Sequence, residues 1–269
     1  MTTHDDAIRK ALGSTPRPSP AGPFASAMAF AWRGMLKVKH VPEQLLDVTI
    51  TPVMFLLMFT YIFGGAIAGS TQEYLQYILP GTLVMSVLFT TVYSGVALNT
   101  DLTRGVVDRI RTLPIWRPSP LVGALLGDSV RYLVAGTVII VLGVILGFDP
   151  EAGVGGVVAA LALVVVFAFG LSWVFTTLGL VMRSPNAVMN AGFMAIFPLT
   201  FLSNVFVDPE TLPSALEAFV SVNPISILAT VSRGLMEGDA EAGDVAIVLA
   251  TAAVLTAVFA PLTTRLYRR

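Results

Sequence analysis

No cysteine occurs among the 269 residues, which excludes disulfides, thiolate metal sites and a cysteine nucleophile. Histidine is nearly as scarce. His4 and His40 are the only two, one in a polar tail and one in a basic stretch, so a metal cluster or histidine-based triad has almost nothing to be built from. Lysine is limited to Lys10, Lys37 and Lys39, and none lies in the G-x-x-x-x-G-K-[ST] loop that cradles phosphates. The chain is therefore not expected to bind ATP in that way, nor to hold a cofactor or metal. Charge is the largest deficit: 12% of residues are charged and 55% apolar, with mean hydropathy +0.80. Soluble domains carry about 25% charged residues. A soluble core of this size is excluded, and an all-α, multi-pass membrane protein is predicted.

Residues 1–23 are polar and then proline-rich (Pro16, Pro18, Pro20, Pro23), which reads as a disordered cytoplasmic tail. They are not a signal peptide, since Asp5 and Asp6 are present and no apolar core follows. Phe24 to Leu46 is apolar but broken by Arg33, Lys37 and Lys39. Phe24, Met28, Ala31, Trp32 and Met35 can share one side, giving an amphipathic interfacial helix with Trp32 at headgroup depth. Six segments are long enough to cross a hydrocarbon core, which needs roughly 20 apolar residues. They fall at about 46–66, 76–99, 121–147, 154–181, 187–206 and 244–263. Gly64-Gly65 and Pro80-Gly81 punctuate the first outer turn, and Phe148-Asp149-Pro150 the second. Residues 24–269 form a single transmembrane domain.

Residues 207–238 are too long for a turn and too interrupted to span. Leu212, Leu216, Phe219 and Val220 make one apolar stripe, Asn223-Pro224 breaks it, and Ile225 to Met236 make a second. This predicts an outer hairpin of two half-length helices, either re-entrant under cover of neighbouring protein or lying at the interface.

The cations set the orientation. Arg9, Lys10, Arg17, Arg33, Lys37, Lys39, Arg104, Arg109, Arg111, Arg117, Arg183, Arg265, Arg268 and Arg269 fall on one side. The other side holds Arg233 against ten carboxylates between Glu73 and Asp244. By the positive-inside rule both termini and the 101–117 loop are cytoplasmic.

That loop, DLTRGVVDRIRTLPIWR, is a charged island between apolar segments. On a continuous helix over 101–113, Leu102, Val106, Ile110 and Leu113 form one stripe. Asp101, Arg104, Asp108 and Arg111 lie opposite, with Arg104 and Asp108 at pairing distance i,i+4. Arg109 sits at the stripe's edge, and Pro114 stops the helix. The helix presents a charged face to something outside the membrane, or it is a solvated connector. Asp128 and Arg131 stand at i,i+3 in the third span. Intramembrane ionisable residues are functional candidates, but counting back about 30 Å from Gly147 places this pair at the cytoplasmic boundary. It is either a neutralised structural pair or a transmitter of motion from the adjacent loop.

Two blocks carry a family resemblance. RGVVDRIRTLPIWRPSPLVGALLGDSVR (Arg104 to Arg131), and Ser184 to Gly238 with SPNAVMNAGFMAIFPLTFLSNVFVDPETLPSALEAF and NPISILATVSRGLMEG, resemble type-2 ABC exporter permeases of the daunorubicin-resistance (DrrB-like) branch. The resemblance extends over nearly the whole chain from about residue 24. It implies a permease subunit in the cell membrane, not itself an enzyme. Two cytoplasmic ATPase subunits would hold ATP and Mg, and a second permease copy or sister permease would complete the path. It makes 101–113 the coupling helix, with Asp101, Arg104, Gly105, Asp108, Arg109 and Arg111 as ATPase-coupling residues. The Pro118-Ser119-Pro120 corner beside Trp116 departs from the family in its rigidity.

The expected cargo is an amphiphilic, antibiotic-like molecule or a lipid, with membrane lipids as neighbours and no nucleic acid as partner. Candidate path residues are Thr90 and Tyr93 in the second span and Asn190 and Asn204 in the fifth. Such residues also serve as glue between helices. The competing function is a proton-coupled secondary transporter with Asp128 as relay, which would call for a carboxylate nearer the midplane and paired broken helices.

Overall fold

The computed structural model describes residues 22–40, 43–112, 115–207, 211 and 213–268. The expected disordered tail lies outside the described residues up to position 21, and Pro23 already begins the first helix. Helices form the architecture: α1 Pro23–His40, α2 Glu43–Met58, a π-helical turn Phe59–Phe63, α3 Gly64–Ala68 and α4 Thr71–Thr103. There follow α5 Val106–Arg111, α6 Ser119–Leu146, α7 Gly153–Val181, α8 Pro185–Phe201, α9 Ser214–Val222, α10 Pro224–Glu237 and α11 Ala242–Tyr267. Among the described residues, five stretches are long and apolar enough to cross a membrane: Thr49–Ala68, α4, α6, α7 and α11. The expected fifth span, 187–206, is shorter than its apolar run. Its helix, α8, has 17 residues, about 25 Å at the helical rise and at the lower limit for a span. The chain then unwinds over Leu202–Val207.

Helix α4 is the central post, buried through most of its length by α7, α6 and α8. Glycine lets its neighbours approach. A Cβ at Gly179 of α7 would lie 2.4 Å from Gly95 O, and one at Gly81 would lie 2.7 Å from Val205 O. Pro80-Gly81 therefore does not mark a turn, contrary to expectation. Both residues are inside α4, and the turn falls at Gly69-Ser70 instead. Ser70 Oγ caps α4 by accepting from Glu73 N at 3.1 Å.

Helix α1 lies across the start of α6. Gly123 and Gly127 receive Ala27, Phe30, Ala31 and Gly34 so closely that a Cβ on Gly123 would stand 2.4 Å from Ala27 O. Phe24, Met28, Trp32 and Met35 face outward, as an interfacial helix requires. Ala31 is on the opposite, buried side with Ala27, because the helix turns its small residues to α6. At the other end of the bundle α9 and α10 are bent by 75° at Asn223. At 9 and 14 residues they measure roughly 13 and 21 Å, and neither alone spans about 30 Å of hydrocarbon. The break falls where Asn223-Pro224 predicts it. Asp208, Pro209, Glu210 and Leu212, the expected start of this segment, lie outside the described residues.

Candidate functional site

The 101–113 helix is not continuous. Helix α4 has 33 residues and so a length of about 50 Å, some 20 Å more than a hydrocarbon core. It carries Asp101–Thr103 as its last turn. Gly105 then adopts φ +67° and ψ 14°, a left-handed conformation that costs a side-chain-bearing residue roughly 1–2 kcal/mol. Helix α5 starts afresh at Val106. The kink resets the helical phase, so Val107, 2% exposed, is the buried anchor, while Val106 and Ile110 are only half-buried. Val107 packs with Leu121, Leu125, Trp173 and Tyr267, and Leu102 joins them. Leu113, Pro114 and the Arg111 side chain lie outside the description.

The charged face is rearranged by the same kink. Arg104, Asp108 and Arg109 are exposed, but no Arg104–Asp108 ion pair forms among the described residues. The left-handed turn between them removes the i,i+4 geometry that pairing needs. Asp101 does not simply face outward: Arg33 of α1 pairs with it at 3.4 Å. The interfacial helix is thus strapped to the foot of α4.

One step deeper, Asp128 and Arg131 are ion-paired on α6. Arg131 is 5% exposed, and its Nε has no partner. The pair follows directly on Gly127, where α1 crosses. Beside it Ser94 and Tyr132 share a hydrogen bond at 2.7 Å, and Asn99 Nδ2 donates to Gly179 O and Met182 O at 2.8 and 2.7 Å.

The four candidate path residues do not converge. Thr90 is fully buried and donates to Ser86 O in its own helix at 2.8 Å. Asn190 is exposed on the outside of α8. Asn204 is buried in the unwound segment, donating to Thr230 Oγ1 at 2.7 Å. Tyr93 alone belongs to a continuous feature, a ladder of aromatic rings. From Tyr93 it passes to Phe193 (6.4 Å between centroids), Phe89 (5.6 Å) and Phe197 (5.8 Å). It continues to Phe201 (4.5 Å), Phe206 (5.0 Å), Phe59 (4.7 Å) and Phe63 (5.3 Å). Phe55 braces the far end against Phe201 at 5.7 Å. Phe197, Phe201 and Phe63 are 43%, 36% and 41% exposed, so the strip opens sideways along the seam between α8 and α2. The i,i+4 spacing of Phe193, Phe197 and Phe201, and of Phe55, Phe59 and Phe63, was visible in the sequence. That the two runs meet through Phe89 and Phe206 was not.

The polar residues that hold the opposite end together were also missed. Asn223, 2% exposed, donates to Leu199 O and Leu202 O at 2.7 and 2.8 Å and accepts from Ile225 N at 2.9 Å. Tyr74 and Tyr77 donate to Phe206 O and Asn204 O at 2.8 and 3.0 Å. These donors answer the carbonyls freed where α8 unwinds, which buried non-helical backbone requires.

Taken together, the long apolar helices, interfacial helix, exposed kinked turn and bent helix pair define a polytopic membrane protein. Comparison with known proteins narrows the class. Residues 26–236 match the ABC-2 type transporter family, and the chain belongs to that family. It is 49% identical over 261 residues to the daunorubicin resistance ABC transporter permease protein DrrB1 of Streptomyces coeruleorubidus, covering 97% of this chain and 92% of that one. A doxorubicin resistance ABC transporter permease protein, DrrB of Mycobacterium tuberculosis, is 27% identical over 154 residues, covering 54% and 53% of the two chains. The protein is thus an ABC-2 permease homologous to daunorubicin and doxorubicin resistance ABC transporter permeases.

Proposed function

We propose that this chain is the non-enzymatic membrane subunit of an ATP-driven exporter that moves a planar, amphiphilic molecule or a lipid out of the cytoplasm or inner leaflet. The observation that carries the reading is the kinked turn after α4. It ends a post about 20 Å longer than a hydrocarbon core is thick, exposes Arg104, Asp108 and Arg109, and is anchored by Val107. A polar surface fixed to the central helix is suited to receive a cytoplasmic ATPase and pass its motion inward. Two such ATPase subunits hold ATP and Mg; this chain holds neither. A second permease copy or sister subunit completes the path, and both termini are cytoplasmic.

The aromatic ladder supports the cargo class. Stacked rings offer offset and edge-on contacts to a flat apolar body at any point along the strip, and the family relative named for daunorubicin resistance supports an antibiotic-like cargo. Asp128 is neutralised by Arg131, so proton coupling through it has nothing to favour it. The test uses inverted membrane vesicles containing this permease and its ATPase, with a fluorescent planar amphiphile added to the outside medium. ATP supports uptake in the presence of a protonophore. Uptake that the protonophore abolishes would overturn the reading.

A further inference from the structure

Arg233 is the single cation of the acidic side, and its surroundings are unusual for an arginine. It is half-buried, and among the described residues no carboxylate lies within ion-pair distance. Its guanidinium stands 4.0 Å above the Tyr77 ring. Nε and Nη2 donate to Tyr77 O at 3.3 and 3.2 Å, and Nη2 also donates to Asn204 O at 3.3 Å. A further acceptor in the same residue, Asn204 Oδ1, is buried and has no partner. An aromatic face with converging neutral carbonyls is the chemistry that recognises organic cations.

The position of this cage adds to its chemistry. Phe206, a rung of the aromatic ladder, accepts a hydrogen bond from Tyr74, and Tyr74 stacks on Tyr77 at 6.4 Å. The buried Tyr74 thus ties the main chain at the ladder's Phe206 rung to the ring of the cage. Beyond it is a cleft of about 240 Å³ lined by Gln76 and Pro80 of α4, by Glu237 one turn past Arg233, and by Asp149, Glu151 and Asp239. Burial pushes the Glu237 carboxyl above its usual range, and the Arg233 charge opposes that shift. A cation leaving the cage meets carboxylates.

We propose that the Tyr77–Asn204 cage is a cation-recognition site at the outer end of the path, occupied at rest by Arg233 as an internal competitor. An aromatic organic cation arriving along the ladder displaces the guanidinium, and the return of Arg233 expels the cargo into the acidic cleft. This rests on the exporter reading above and adds to it the charge of the cargo and its last station.

Equilibrium binding of ethidium, a planar fluorescent cation, to the lipid-reconstituted permease–ATPase complex without nucleotide tests it, with pyrene as neutral control. Arg233→Gln is expected to bind ethidium about tenfold more tightly, the scale of a desolvated cation–π contact, with pyrene unchanged. Tyr77→Leu in the same background removes the gain. Because the chain has no cysteine, Arg233→Cys provides a second measurement in one protein. Capping the thiol with an aminoethyl group restores a cation and weak ethidium binding, whereas a methyl cap gives the tight form. Equal ethidium affinity in all forms, an equal gain for pyrene, or loss of assembly in both variants would overturn the inference. ATP-driven uptake by the wild-type complex is read separately: if it persists while the affinities do not differ, the cage alone is wrong, and if it is absent, the exporter reading fails first.

Discussion

Asn223→Leu is the most informative single substitution at the outer end. The side chain is 2% exposed and makes three hydrogen bonds, to Leu199 O, Leu202 O and Ile225 N, at 2.7, 2.8 and 2.9 Å. Leucine nearly matches its volume, so little packing is lost, and the effect isolates the polar contacts. Each is worth on the order of 1 kcal/mol in soluble proteins and about 0.6 on average between membrane helices. Three together give roughly 2–3 kcal/mol, or about a 30- to 150-fold rise in the open population of the α9–α10 pair. Ser226, 3% exposed with an unpartnered Oγ, is a suitable reporter, since Ser226→Cys gives up no hydrogen bond and introduces the only thiol. At low maleimide concentration, the labelling rate follows the open population. The account predicts labelling faster by that factor when Asn223→Leu is added. A change of less than threefold would mean that the freed carbonyls of α8 do not depend on Asn223, and the reasoning about this end would be refuted.

Three further outcomes follow from the geometry. Thr71→Cys and Ala240→Cys are expected to react in intact cells with a membrane-impermeant maleimide; reaction only after the inner side is exposed would invert the topology. Gly105→Val forces a β-branched residue to φ +67°, costing at least about 1–2 kcal/mol, and is expected to lower ATPase co-purification and export while membrane insertion stays normal. Gly123→Leu places carbon 2.4 Å from Ala27 O and should release α1 to proteolysis at Arg33. Asp101→Ala, which leaves the cleavage site in place, should not, because its ion pair with Arg33 is 48% and 29% exposed and worth no more than about 1 kcal/mol.

Five of the six expected spans were legible because apolar runs and charge breaks are set by the bilayer, whatever the packing; the fifth, 187–206, outran its helix, which stops at Phe201. The break at Asn223-Pro224 was legible for a similar reason, since proline cannot continue a helix without cost. Glycine and proline inside a span were misleading. Pro80-Gly81 reads as a turn, yet Gly81 serves the backbone of Val205, a partner 124 positions away that no local pattern reveals. Gly105 was misread the other way: periodicity assumed one helix through it, and the left-handed turn moved the buried anchor from Val106 to Val107. Hydroxyls and amides fared worst as path residues. Thr90 and Asn204 satisfy backbone or hairpin partners, which is the commoner fate of such groups between helices. Arg233 carried the clearest missed signal, being the one cation among carboxylates.

The central claim is that the turn after α4 docks on a cytoplasmic ATPase, and site-directed crosslinking tests it most directly. Single cysteines at Asp108, Arg109, Thr71 and Ala240 are placed in the otherwise cysteine-free chain. Each variant is co-expressed with the ATPase and treated with a short heterobifunctional maleimide reagent. The account predicts permease–ATPase adducts from positions 108 and 109 and none from 71 or 240. Adducts from the outer positions, or none from 108 and 109 in a complex that still exports, would contradict it.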